Sequence, residues 1–147
     1  MIASIQNWFK EQLKIEEHHP GHTLELATAV LFYEVMRADN KFENSEQVMF
    51  RQRLEKHFSL SPEQLDILCS NTQEYAENAV DYQQFTRVLN HTYNGQQKVQ
   101  ILDSLWTIAF SDKVLSPSEE YTIRKIADLL YIPHTQFIQS KLSNNLE

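Results

Sequence analysis

The sequence is poor in glycine and cysteine, and these shortages exclude several classes of protein. Only two glycines, Gly21 and Gly95, occur among 147 residues. A dinucleotide-binding fingerprint needs three closely spaced glycines and a phosphate-binding loop needs two, so neither motif is present. An all-β barrel or sandwich is also disfavoured, because its tight turns need residues that accept positive φ. The single cysteine, Cys69, permits neither an internal disulfide nor a thiolate zinc cluster. Its apolar helical surroundings predict a buried core thiol.

The sequence also lacks an excess of positive charge, and it has no long apolar run. Thirteen Lys and Arg stand against twenty Asp and Glu, for a formal net charge of −7. This balance disfavours nucleic acid as a partner. The apolar-rich stretch from Leu26 to Tyr33 is too short to span a bilayer. Lys10, Glu11 and Lys14 interrupt the apolar positions that a signal peptide would need. We therefore expect a cytoplasmic protein that neither binds nucleic acid nor inserts into a membrane.

Helical spacing of apolar residues is present almost throughout the chain. No segment alternates over the length of a strand. Ser61-Pro62 and Ser116-Pro117 predict helix starts, since each is followed by Gln or Glu at the third helical position. Asp81 is expected to cap a helix that ends near Asn94-Gly95. The pattern predicts an all-α fold, a compact bundle of about seven or eight helices.

The first twenty residues form a separate unit in this interpretation. Five apolar residues at intervals of three and four predict an amphipathic helix that covers a core or a neighbouring subunit, namely Ile2, Ile5, Trp8, Phe9 and Leu13. A connector with His18, His19 and His22 follows. These histidines suit a zinc or nickel site, but a solvated connector explains them equally well, because Pro20-Gly21 gives no fixed geometry. Residues 1–20 are thus this helix and connector, and residues 21–147 are the helical domain.

An internal repeat is the most informative feature of the sequence. The segment D-N-K-F-E-N-S-E at 39–46 matches D-K-V-L-S-P-S-E at 112–119, an offset of 73 residues. Apolar and basic positions on both sides match at the same offset, pairing Tyr33 with Trp106, Val35 with Ile108, Phe50 with Ile123, Arg51 with Arg124 and Phe58 with Tyr131. After a one-residue gap, Leu60-Ser61 matches Ile132-Pro133. Each copy has an apolar helix, a loop that opens with Asp and a helix with Glu in its first turn. The chain is therefore predicted to contain a two-fold repeat.

Four stretches of the sequence resemble the tellurite-resistance protein B (TerB-like) family, in its stand-alone bacterial branch. They are E-V-M-R-A-D at 34–39, F-T-R-V-L-N at 85–90, L-W-T-I-A-F-S-D at 105–112 and the run 119–137 with R-K-I-A-D-L-L-Y-I-P-H near its centre. The resemblance covers roughly residues 22–142. It implies a bundle of two related halves and a link to tellurite resistance and stress response, with no established reaction. It also implies that the two Asp loops contribute to an acidic metal site.

The candidate metal ligands are four carboxylates from the two repeats, Asp39, Glu46, Asp112 and Glu119. An oxygen-only set of this kind suits Ca²⁺ or Mg²⁺. The family usually has glycine after each loop aspartate, where this chain has Asn40 and Lys113. Lysine adopts a left-handed conformation less readily than asparagine, so the second loop is expected to differ in backbone geometry.

A purely structural interpretation of the same carboxylates stays open. A capping box with Ser116 explains Glu119, and a helix-ending turn explains Asp39. Arg51 and Arg124 would then neutralise the carboxylates without a metal.

Two functions follow from the sequence. The first is a non-enzymatic acidic helical module that binds a divalent cation, a protein partner or a second copy of itself in metal or oxyanion stress. The alternative is a metal-dependent hydrolase that uses the same carboxylates. A hydrolase would place the carboxylates in a concave pocket, whereas a binding module would enclose them or leave them on a flat surface.

Overall fold

The fold is all-α throughout the part of the chain that the computed structural model describes, residues 23–38, 44–78, 82–111 and 114–144. This part contains seven helices and no strand. They are α1 (Leu24–Met36), α2 (Asn44–His57), α3 (Pro62–Asn78), α4 (Gln83–Thr92), α5 (Gly95–Ala109), α6 (Pro117–Leu129) and α7 (His134–Asn144). The predicted amphipathic segment and its histidines lie outside the described residues. None of the seven helices is long and apolar enough to cross a bilayer.

The two serine-proline signals begin helices as predicted. At the start of α3, the Gln64 N–H donates to Ser61 Oγ at 3.2 Å and the Ser61 N–H donates to Gln64 Oε1 at 2.9 Å. Ser116 caps α6 in the same reciprocal way. These bonds satisfy N–H groups that have no partner within the first turn of a helix.

The prediction that a helix ends near Asn94-Gly95 is confirmed, since α4 ends at Thr92 with Tyr93 as its C-cap. Asn94 itself belongs to the next helix, as the N-cap of α5. Asn94 Oδ1 accepts a hydrogen bond from the Gln97 N–H at 2.9 Å, and Gln97 Oε1 accepts from the Asn94 N–H at 2.9 Å. Asparagine serves at either end of a helix, so Gln97 three residues later decides its role here. Asp81 lies outside the described residues, and the N-cap of α4 is Tyr82.

Helices α1 and α5 form the centre of the bundle. Every residue from Leu26 to Met36 in α1 is buried, and so are most residues of α5 after Ile101. A helix that is covered on all sides needs neighbours on all sides. Helix α1 packs against α2, α3, α4, α5 and α6, and α5 also packs against α2, α6 and α7.

The predicted repeat is visible in the backbone and comprises three helices in each copy. Helices α1 and α5 end at equivalent residues, and α2 and α6 begin at equivalent residues. The residues that follow α1 and α5 have nearly identical dihedral angles, φ −88° and ψ 1° at Arg37 against φ −87° and ψ 0° at Phe110. The contact of α1 with α6 is matched by the contact of α5 with α2. The first repeat (α1–α3) and the second repeat (α5–α7) are therefore related by a pseudo-two-fold axis, with α4 between them.

Candidate functional site

Two of the four predicted metal ligands are buried at equivalent positions of the repeats. Glu46 lies in the first turn of α2 and is 1% exposed, and Glu119 lies in the first turn of α6 and is fully buried. A charged carboxylate in the interior costs several kcal/mol unless polar or cationic groups compensate it. A buried first-turn glutamate is thus a feature that the two repeats share, and its surroundings have to compensate the charge. Asp39 and Asp112 lie outside the described residues.

Part of the polar environment of Glu119 is the predicted capping box. Glu119 Oε1 accepts a hydrogen bond from the Ser116 N–H at 3.1 Å, and Ser116 Oγ accepts from the Glu119 N–H at 3.0 Å. The positive end of the α6 dipole also favours a negative charge here. The capping interpretation of Glu119 is therefore confirmed in its geometry. At the equivalent of Ser116 the first repeat has Glu43, which lies outside the described residues.

The described residues alone do not form a metal centre. No three of their His, Cys, Asp and Glu side chains lie together in a way that would hold a metal ion. A complete four-carboxylate site needs Asp39 and Asp112, so the predicted set remains a prediction. The same holds for the histidines at 18, 19 and 22, which also lie outside the described residues.

A third buried carboxylate, which the sequence analysis did not single out as a site residue, is Glu34 near the end of α1. It is 5% exposed and forms an ion pair with Arg37, whose Nη2 lies 2.8 Å from Glu34 Oε1. The Arg37 guanidinium also donates to the carbonyl oxygen of Ala76 at 3.2 Å and so joins α1 to α3. Burial raises the pKa of Glu34, and the hydrogen bond and charge of Arg37 oppose that rise. One sequence signal could have identified Glu34. It is a glutamate inside an apolar run that is followed by arginine three residues later.

Tyr82 connects this ion pair to the second repeat. Its side chain hydrogen-bonds with Glu34 and with Thr122 of α6. Burial raises the pKa of the Tyr82 phenol, and the neighbouring Glu34 charge raises it further. Thr122 lies one helical turn after Glu119, on the same buried side of α6. The end of α1, which leads into the Asp39 loop, is therefore tied to the first half of α6.

The two repeat-related arginines contact groups other than the four candidate ligands in the described structure. Arg51 Nη1 lies 2.7 Å from Asp66 Oδ1, and Arg51 Nη2 donates to the carbonyl oxygen of Pro62 at 3.1 Å. The guanidinium of Arg124 lies over the ring of Phe137, at 5.6 Å from its centroid. These contacts hold Arg51 against α3 and Arg124 against α7.

Two cavities open between the helices, and neither Glu46 nor Glu119 lines them. One of about 610 Å³ lies between α1, α2 and α3, and one of about 660 Å³ lies between α5 and α7. Cys69 packs against the hydrophobic core, but it is only partly buried and also lines the first cavity. The adjacent Leu68 is fully buried, and Cys69 lies beside Arg51. Burial still raises the pKa of the Cys69 thiol.

Comparison with known proteins gives one family. The model of the tellurite resistance protein TerB matches residues 25–142. This range covers all seven described helices except the start of α1 and the end of α7. No curated protein and no solved structure matches the chain. The matched residues include both repeats and the two buried glutamates. The chain therefore belongs to the TerB family of tellurite resistance proteins.

Proposed function

We propose that this protein is a non-enzymatic module of the metal or oxyanion stress response that binds a divalent cation, Ca²⁺ or Mg²⁺. The ligands are Asp39, Glu46, Asp112 and Glu119. The observation that carries the proposal is the burial of Glu46 and Glu119 in the first turns of repeat-related helices. A hard cation with oxygen ligands is a chemically suitable partner for enclosed carboxylates, because it compensates their loss of hydration.

The link between the two repeats supports a shared site. Each Asp loop precedes a helix that carries one of the buried glutamates. The chain of contacts from Glu34 through Tyr82 to Thr122 fixes the end of α1 against α6 within the structure. The first loop therefore leaves α1 from a point that is anchored beside the helix of Glu119.

The position of the glutamates favours a binding module over the hydrolase. A metal-dependent hydrolase needs an open coordination position that faces a pocket for substrate. The two cavities of 610 and 660 Å³ are lined by other residues, whereas Glu46 and Glu119 are enclosed. Enclosed carboxylates suit a closed cation site whose role is structural or regulatory.

Calorimetry and thermal unfolding with Ca²⁺, Mg²⁺ and Mn²⁺ test the cation site. A cation that binds only the folded protein stabilises it by about 2.7 kcal/mol at a concentration of 100 Kd. We expect saturable heat and a raised Tm for the native chain. Both effects should be lost in Asp39→Asn and Asp112→Asn and weakened in Glu46→Gln and Glu119→Gln.

Matched control variants lie on the same helices. Glu55→Gln in α2 and Asp128→Asn in α6 remove exposed carboxylates and should leave the cation response unchanged. Equal responses in the loop variants and in these controls would show that any binding is a diffuse surface effect. Absence of heat and of a Tm shift in the native chain with all three cations would refute the site.

A second part of the proposal concerns self-association through the amphipathic segment at residues 1–15. Its apolar residues, spaced for one face of a helix, suit a protein surface rather than solvent. Light scattering of the full chain and of a chain without residues 2–15 tests this part. We expect a dimer that becomes a monomer on deletion, and an identical oligomeric state in both would contradict it.

A further inference from the structure

The cavity between α1, α2 and α3 differs from its counterpart in the second repeat. We call it the first-repeat groove, and Tyr33, Met36, Val48, Phe50, Arg51 and Cys69 are the residues of its lining that matter here. Its volume of about 610 Å³ falls within the range of small-molecule sites, about 300–1,000 Å³. Glu46, the described ligand of the proposed cation site in this repeat, does not line the groove.

The corresponding space in the second repeat is filled by that repeat's own side chains. Trp106 replaces Tyr33 there, and Lys141 and Glu120 stand at the positions of Cys69 and Gln47. The Lys141 ammonium forms an ion pair with the Glu120 carboxylate and lies 5.9 Å from the centre of the Trp106 ring. Trp106 is fully buried. The first repeat has Gln47 and Cys69 at these positions and so lacks the ion pair, and a groove opens beside Tyr33.

The walls of the groove combine an apolar surface with one cationic group. Tyr33, Met36, Val48 and Phe50 supply apolar atoms, and Val48 is 55% exposed although it is aliphatic. The other described lining residues carry amide, hydroxyl or thiol groups, apart from Arg51. The described part of the lining thus holds a cation and no carboxylate, in a chain of net charge −7.

The Arg51 guanidinium is held in place before any ligand arrives. It contacts Asp66 and the Pro62 carbonyl oxygen, and it hydrogen-bonds with the Cys69 thiol. Its ion pair with Asp66 is exposed to solvent at both side chains and has a small net energy, so a ligand anion can compete with Asp66 at little cost. A fixed guanidinium beside an apolar wall recognises an anionic group attached to an apolar body.

We propose that the first-repeat groove binds a small organic anion with an aromatic or branched aliphatic body. The apolar part lies against Tyr33, Val48 and Phe50, and the anionic group faces Arg51. The second repeat does not bind such a ligand, because Lys141, Glu120 and Trp106 occupy the equivalent space.

The test uses 8-anilinonaphthalene-1-sulfonate as an anionic probe and N-phenyl-1-naphthylamine as its uncharged analogue. We expect saturable binding of the anionic probe to the full chain with a stoichiometry of one. The double variant Gln47→Glu/Cys69→Lys copies the ion pair of the second repeat into the first, and it should lower probe affinity at least tenfold. Arg51→Gln should weaken the anionic probe severalfold and leave the uncharged analogue unchanged.

Two controls keep the result interpretable. Glu120→Gln/Lys141→Gln breaks the ion pair of the second repeat without changing the first-repeat groove, and its affinity for the anionic probe should equal that of the native chain. Circular dichroism and Tm establish that each variant is folded. Absence of saturable binding in the native chain would overturn the proposal. Equal affinity in the native chain and in folded Gln47→Glu/Cys69→Lys would also overturn it, since the probe would then bind elsewhere.

Discussion

In the first repeat, Tyr33 lies beside an open groove, whereas its equivalent Trp106 in the second repeat is completely covered. The ends of α1 and α5 do not account for this difference, because the residues that follow them agree within a degree or so in φ and ψ. The side chains around the two rings do differ. Phe110, Phe137 and Lys141 all contact the indole ring of Trp106. The comparison teaches that the same arrangement of helices can be fully packed or can leave a groove, depending on a few side chains between the helices.

The largest expected effect concerns these two aromatic residues. Trp106→Ala should lower the free energy of unfolding by about 3–5 kcal/mol, because it removes a fully buried indole from the core. Tyr33→Ala should cost less, about 2 kcal/mol, because Tyr33 borders the groove and is 9% exposed whereas Trp106 is fully buried. Urea unfolding measures both. Equal losses would show that the two repeats are packed equally well around these positions.

A smaller effect is expected at the serine caps. Ser116→Ala should destabilise the protein by about 1–2 kcal/mol, because it removes the acceptor of the N–H of Glu119, a fully buried residue. Ser61→Ala removes the equivalent bond to the Gln64 N–H in a partly exposed turn and should cost about 0.5–1 kcal/mol. Thermal unfolding of the two variants checks the order, and a larger loss for Ser61→Ala would contradict it.

Glycine substitutions after α2 and after α6 should change the free energy of unfolding in opposite directions. Tyr131 has φ 59° and is 79% exposed, and it ends α6 with a hydrogen bond from the Ile132 N–H to the Ala127 carbonyl oxygen at 3.0 Å. Tyr131→Gly should raise the free energy of unfolding by about 0.5–1 kcal/mol, because glycine adopts this left-handed conformation without strain.

Phe58 is the matched position in the first repeat. Its φ is not positive, and its side chain packs against the core, so Phe58→Gly should destabilise the protein. Unfolding in urea gives both values. A loss of stability in Tyr131→Gly would show that the contact of its ring with the Lys98 ammonium, at 5.8 Å, outweighs the backbone strain.

The smallest effect concerns pH and compares His57 with its equivalent, Leu130. Burial lowers the pKa of His57 from its usual 6.5, and the charges of Lys56 and Arg53 lower it further. Its Nε2 lies 2.7 Å from Ser104 Oγ. As the pH falls below 6.5, the unfolded chain takes up a proton that the folded chain does not, so stability decreases toward the lowered pKa.

The slope of stability against pH is limited to about 1.4 kcal/mol per pH unit for one proton. His57→Leu copies the residue of the second repeat and should remove this contribution. Urea unfolding at several pH values between 5 and 7.5 measures it. A native chain and variant with the same dependence on pH in this range would show that His57 is not its source.

The sequence predicted helix starts and the repeat well because both depend on neighbouring residues. Ser61 and Ser116 each find their partner three residues later, and the offset of 73 residues needs no tertiary information. The end of α4 near Asn94-Gly95 was also predicted, but the N-cap role of Asn94 was not, because asparagine suits both ends of a helix and the bond to Gln97 decides between them.

The candidate site was harder to predict because burial depends on distant parts of the chain. Glu46 and Glu119 lie in first turns, which are usually exposed, and only the packing of the bundle encloses them. Cys69 packs against the core, but the pattern of its apolar neighbours does not show that it also borders a cavity. Tyr82 joins Glu34 to Thr122 across 88 residues of chain, and no local pattern reveals such a bridge.

The contacts that join the repeats have the form of a symmetrical subunit interface. Helix α1 meets α5 across the axis, and α1 with α6 mirrors α5 with α2. A peptide of three such helices would expose its most apolar helix on its own and would need to pair with an identical peptide. Pairing of identical copies would force both recesses to be alike. Covalent linkage through α4 removes that constraint, so one half is free to specialise while the other keeps the molecule stable.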